Sequence, residues 1–186
     1  MQKIFSAPFG VPGFALLASV FVLSTGHAAG LEGDIKKVAA SDRALVNIVS
    51  ELATFKTFRK TQAEFQQVLH DVCQRTNEIK DESGIVSRYA CSQASGIERV
   101  RIDTRRDKLG SYVMTLSVYY NYAAYARVRS AVERQLGTRS TKTGDMVLWR
   151  DASDPHLNKL GNPVIYVDRD ADTKTASFEL GLEQGP

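Results

Sequence analysis

The chain has little of what most catalytic and metal-binding centres are built from. Among its 186 residues are two cysteines and three histidines, and one histidine, His27, falls in the N-terminal segment. No G-x-S-x-G, no H-E-x-x-H and no phosphate-cradling glycine loop occurs. His70 and His156 stand at no ligand spacing to Cys73 or Cys91, which leaves no zinc-type donor set. The two cysteines are not a C-x-x-C pair, so they are not read as a redox centre. Only 5 prolines and 13 glycines exclude a collagen-like or low-complexity chain.

The one Ser/His/Asp combination, Ser153 and His156 with Asp151 or Asp154, is crowded into a single short loop, where triad geometry is hard to hold. A carboxylate-based hydrolase needs only two acids at a set separation. It stands as the one catalytic alternative, and no catalytic residue is assigned.

The longest apolar run is also short. Phe14 to Leu23 follows a start made positive by Lys3 and precedes Gly26-His27-Ala28. Ten residues rise about 15 Å as a helix, roughly half of a hydrocarbon core. The pattern is that of a signal peptide over residues 1–28, with cleavage after Ala28, a flexible lead-in over 29–40 and a single domain over 41–186. The mature chain is expected to be periplasmic or secreted, with no transmembrane segment after processing. A disulfide between Cys73 and Cys91 suits that compartment and would stabilise the fold by about 3 kcal/mol on the chain-entropy model. Two separate buried thiols are the other reading.

Net charge is only +3, but it is unevenly spread. Residues 99–142 carry a net +7 and residues 143–186 a net −4. A charge pattern of this kind concerns partners, not fold.

Hydrophobic periodicity outlines the elements. Leu45, Ile48, Val49, Leu52 and Phe55 recur at helical spacing, and Thr61 with Glu64 forms a capping box ahead of Phe65, Val68, Leu69 and Val72. The period then drops to two over residues 85–91, 98–103 and 112–120, where Val100 and Ile102 face away from Arg99, Arg101 and Asp103. Asp107-Lys108-Leu109-Gly110 reads as the loop of a hairpin. Asn121 caps a helix whose apolar face is Tyr125, Val128, Val132 and Leu136, with Gly137 as its stop, and strands follow at 145–151, 163–169 and 174–182.

The predicted class is α+β, a mainly antiparallel sheet with helices packed on one face, in the order α-α-β-β-β-α-β-β-β. Each half runs from a helix into strands, although no residue pattern repeats between them. This order resembles small periplasmic helix-on-sheet binders such as the β-lactamase inhibitor proteins and the small accessory lipoproteins of outer-membrane assembly. The resemblance is one of element order only and carries over no residues.

Two constellations are candidates for chemistry. Asp168, Asp170, Asp172 and Glu179 match the oxygen-ligand spacing of a calcium loop, but the sixth position is Thr173 instead of Gly and the following segment alternates like a strand. A turn tipped with aspartates explains the same residues. Tyr119, Tyr120, Tyr122 and Tyr125 cluster at a strand-to-helix junction near Arg127, Arg129 and Arg134. Tyr and Arg dominate binding hot spots. With Tyr120 and Tyr125 assigned to the core, the expected partner contacts are Tyr119, Tyr122, Arg127, Arg129 and Arg134.

The expectation is a small exported binding protein without catalytic activity, of the inhibitor or immunity kind, acting on a protein partner. The alternative is a cell-envelope structural or assembly accessory that binds anionic lipid or peptidoglycan. Neither a cofactor nor a nucleic-acid partner is expected.

Overall fold

The computed structural model describes residues 42–183. The signal peptide and lead-in expected over residues 1–40 lie outside the described residues.

The helical stripe beginning at Leu45 forms α1 (42–52), which buries Leu45, Ile48, Val49 and Leu52. A 3-10 turn, Phe55–Arg59, follows and stacks Phe55 on Phe58 at 6.3 Å. The Thr61 side chain accepts the Glu64 N–H while the Glu64 carboxylate accepts the Thr61 N–H, so the capping box opens α2 (Gln62–Leu69) as its sequence predicts.

The strands are β1 (Cys73–Lys80), β2 (Gly84–Cys91), β3 (Ile97–Asp107) and β4 (Gly110–Asn121). Then come α3 (Tyr125–Leu136), β5 (Thr141–Thr143), β6 (Met146–Arg150), α4 (Leu157–Leu160), β7 (Asn162–Asp170) and β8 (Thr175–Glu183). Gly137, at φ 80°, closes α3 through its N–H to the Glu133 carbonyl, a positive-φ conformation open to a residue without Cβ. The chain is α+β as read from its pattern, with three additions: β1, β5 and α4. β1 buries only Cys73 and has no alternation to betray it; β2 recruits it as an edge strand. β5 is three exposed residues paired to β6.

All eight strands join one antiparallel sheet in the order β1-β2-β3-β4-β8-β7-β6-β5. Each half is helical and then four-stranded, with α1 and α2 ahead of β1–β4 and α3 ahead of β5–β8 with α4 inserted after β6, and the halves meet where Val118 of β4 pairs with Phe178 of β8. The strand order maps onto itself when each strand is exchanged for the one four places later in the chain.

Pairing fixes which side chains share a face. Leu116, Val118 and Tyr120 stand opposite Leu180, Phe178 and Ala176, and Ile165 and Val167 continue the row to Trp149 and Val147. All of these join Leu45, Leu52, Phe58, Phe65, Leu69, Val128 and Val132 in one buried cluster, so the helices cover this face. Burying a large apolar side chain contributes about 1.5–3 kcal/mol. Several buried polar groups on this side are paired: the Trp149 indole N–H donates to the Gly137 carbonyl at 2.9 Å, and Gln62 at the start of α2 bridges Ser87 of β2 and Thr104 of β3.

The predicted bridge is present: Cys73 and Cys91 are register partners at the end of β1 and β2, joined as a disulfide. The predicted hairpin also forms, with Asp107 paired to Gly110.

Candidate functional site

Antiparallel alternation sends every second residue to the face away from the helices. Among the described residues no helix packs on this face. Its centre lies on β4, β8 and β7, where Ser117 pairs with Glu179, Tyr119 with Ser177 and Tyr166 with Glu179. Small hydroxyl residues thus sit beside large ones, leaving the two tyrosine rings half-exposed. The Glu179 carboxylate accepts hydrogen bonds from the Ser117 hydroxyl at 3.1 Å and the Tyr166 hydroxyl at 2.8 Å. Burial, reinforced by the Glu179 carboxylate, pushes the Tyr166 hydroxyl well above the usual phenol range, so it stays a donor at any physiological pH.

The face changes character from one edge to the other. On β2 and β3, Arg88, Arg99 and Arg101 are exposed, and the Arg99 guanidinium lies 4.2 Å above the Tyr119 ring centre. Asp103 is matched by Arg105 at 2.8 Å. On β7 and β8 the charges are Asp168 and Glu179, and Arg150 of β6 is taken up by Glu183 at 3.0 Å. Of these residue types Tyr and Arg are enriched at protein interfaces, whereas Asp, Glu and Ser are depleted there.

The residues singled out in the sequence are distributed over the molecule. Tyr119 is on this face. Tyr120 is buried under the helices, its hydroxyl raised far above the ordinary phenol value by burial and directed at the Ser177 carbonyl at 3.4 Å. Tyr122 and Tyr125 surround Arg169, whose guanidinium lies 5.3 Å and 4.8 Å from their ring centres and also bonds Asp145 at 2.9 Å. The Tyr125 hydroxyl donates to the Asp145 carbonyl. Arg127 pairs with Asp42 of α1 at 2.7 Å and Arg129 with Glu133 one turn on at 2.9 Å. Arg134 is exposed on α3. The five expected contacts therefore do not share one surface: Tyr119 is on the open face, Tyr122 at a sheet end and the arginines on a helix of the covered face.

The carboxylates with calcium-loop spacing are also apart. Asp170 accepts the backbone N–H groups of Asp172 and Thr173 at 2.8 and 3.2 Å and so caps the β7–β8 turn, which holds its carboxyl below the usual range. Glu179 faces Tyr166 along the strands instead of the turn. Among the described residues no group of three or more His, Cys, Asp or Glu side chains converges to hold a metal ion. Ser153 and His156 do not meet either. The Ser153 hydroxyl donates to Asp151 at 2.7 Å, and the His156 Nε2 faces Asp107 at 2.8 Å. His70 is exposed beside Asp71 at 2.9 Å.

The sequence reading missed Arg88, Tyr166 and the role of Glu179. The signal for half of the face was present, since Arg99, Arg101 and Asp103 alternate with Val100 and Ile102. The rest needed the register, because Arg88 meets Arg101 only through β2–β3 pairing and Tyr166 meets Glu179 only through β7–β8 pairing. No protein-family model, curated protein or solved structure matches the chain.

Proposed function

We propose that this is an exported binding protein without catalytic activity that acts by occupying a protein partner, in the manner of an inhibitor or immunity protein, through the sheet face opposite its helices. The observation that carries the reading is that this face is bare among the described residues and bears the side chains of a recognition surface: Tyr119, Tyr166 and exposed arginines. The disulfide fits an oxidising compartment, and the signal-peptide pattern over residues 1–28 supplies the route to it.

The test has two arms. Mass measurement of the protein recovered from the cell envelope or medium should give a chain that begins at Ala29 with both sulfurs oxidised. Affinity capture from envelope extract should then yield a partner that is retained by Arg134→Ala on α3 and lost by Tyr119→Ala with Tyr166→Ala. Capture indifferent to the tyrosine pair would overturn the assignment of the face, and an unprocessed chain with reduced thiols would overturn the location.

A further inference from the structure

Arg88 and Arg101 are direct cross-strand partners on β2 and β3. Like charges opposite one another on one sheet face repel and weaken the strand pair. Two positions along β3, Asp103 neutralises Arg105. Nothing equivalent is placed between Arg88 and Arg101: among the described residues neither they nor Arg99 makes an ion pair. Arg99 lies on the same face as Arg101, about 7 Å along the strand, and its guanidinium stacks on Tyr119. The three arginines and Tyr119 line a shallow groove of about 500 Å³ in which, among the described residues, Glu98 is the only acid.

We infer that this groove is the subsite for an acidic segment of a folded protein partner, whose carboxylates take the place between Arg88, Arg99 and Arg101 that the described residues leave without a counter-charge. The inference rests on the proposal that the open face is the binding surface. Guanidinium groups match carboxylates through paired N–H donors, and all three cations here are Arg, not Lys. The spacing from Arg99 to Arg101 equals that of carboxylates two residues apart on an extended segment. The other half of the face selects the class of partner. Asp168 and Glu179 lie there and Arg150 is already paired, so a uniformly anionic polymer or lipid surface laid across the sheet meets like charge over β7 and β8. A folded protein can offer an acidic patch to one half only.

The chain from residue 29 to 186 would be titrated with a labelled twelve-residue peptide of alternating Glu and Thr, with heparin, and with vesicles of 70% phosphatidylcholine and 30% phosphatidylglycerol. The peptide should bind, lose affinity as salt rises, and bind at least tenfold more weakly to Arg88→Ala with Arg101→Ala. Arg134→Ala with Arg139→Ala, which removes the same charge outside the face, should stay within twofold. The thermal midpoint of the Arg88/Arg101 variant should equal or exceed that of the parent, because a repulsive pair has been removed. Unchanged peptide binding by that variant, or a lowered midpoint, would overturn the inference. So would tighter binding of heparin or vesicles that the same variant abolishes, which would make the groove a polyanion site. Partner capture retained by the arginine variant but lost by Tyr119→Ala with Tyr166→Ala would sink the acidic subsite and leave the face itself in place.

Discussion

His156 reaches Asp107 across 49 positions of sequence, its Nε2 standing 2.8 Å from Oδ2. The Arg59 guanidinium, which has only hydrogens to offer, faces His156 Nδ1 at 3.0 Å, so Nδ1 accepts and the ring donates from Nε2 to Asp107. Arg59 also grips both oxygens of Asp154, at 3.0 and 2.8 Å. Three distant segments are tied at one corner: the 3-10 turn after α1, the β3–β4 hairpin and the loop before α4.

Because these groups act as a unit, truncating them should be non-additive. Arg59→Ala is expected to cost about 1–2 kcal/mol, at the lower end of charged hydrogen bonds since the pair is about one-third exposed. His156→Ala should cost about 1 kcal/mol, and the double variant less than the sum of the two. Urea denaturation of the four proteins measures this; strict additivity would mean that Arg59 and His156 do not couple.

The same corner makes stability acid-sensitive. The Leu157 N–H first, then the Arg59 guanidinium and the His156 N–H, hold the Asp154 carboxyl below its usual range. The Leu109 N–H and His156 do the same for Asp107. A carboxyl lowered in the folded state contributes stability above the unfolded value of about 3.9 and loses it as pH falls through the folded value. The contribution of these two carboxylates should therefore be lost below about pH 4, and the unfolding midpoint should fall there. Asp154→Asn should start lower at pH 7 and fall less steeply, and equal slopes for the two proteins would contradict the assignment.

The disulfide closes the β1–β2 hairpin over a sequence separation of 18, and β1 otherwise buries almost nothing. Cys73→Ser with Cys91→Ser should lower stability by about 3 kcal/mol. Hydrogen exchange should show the loss first in β1, as expected for an edge strand with one buried side chain. Protection that stays uniform across the sheet would argue that β1 is held by its hydrogen bonds alone.

Gly84 opens β2 where a Cβ would run into the Thr104 carbonyl oxygen of β3. That neighbour is backbone and cannot rotate aside. Gly84→Ala should cost about 1–3 kcal/mol and disturb the β2–β3 register at its Gly84–Arg105 end. Ala at Gly144, whose surroundings are open, meets only the strain of its φ of 60° and should cost less.

Much of the fold was readable locally. Leu45 to Leu52, the Thr61–Glu64 box and the stop at Gly137 announce their helices because each signal rests on steps of at most four residues, within reach of about one helical turn. β3, β4, β7 and β8 announce themselves by alternation, since each has one dry face and one open face. β1 and β5 do not, because edge strands with little burial follow their neighbours' hydrogen-bonding groups and not their own side chains.

The amino-acid sequence by itself determined the class, the β3–β4 hairpin and which side of most strands would be dry, because those depend on patterns local to one element or one turn. Only the tertiary structure decided that β4 pairs with β8 to join the two meanders, that Arg88 confronts Arg101, and that Tyr119 parts company with Tyr122 and the α3 arginines. Register between strands far apart in the chain is set by the summed packing of the whole core, so no local pattern records it.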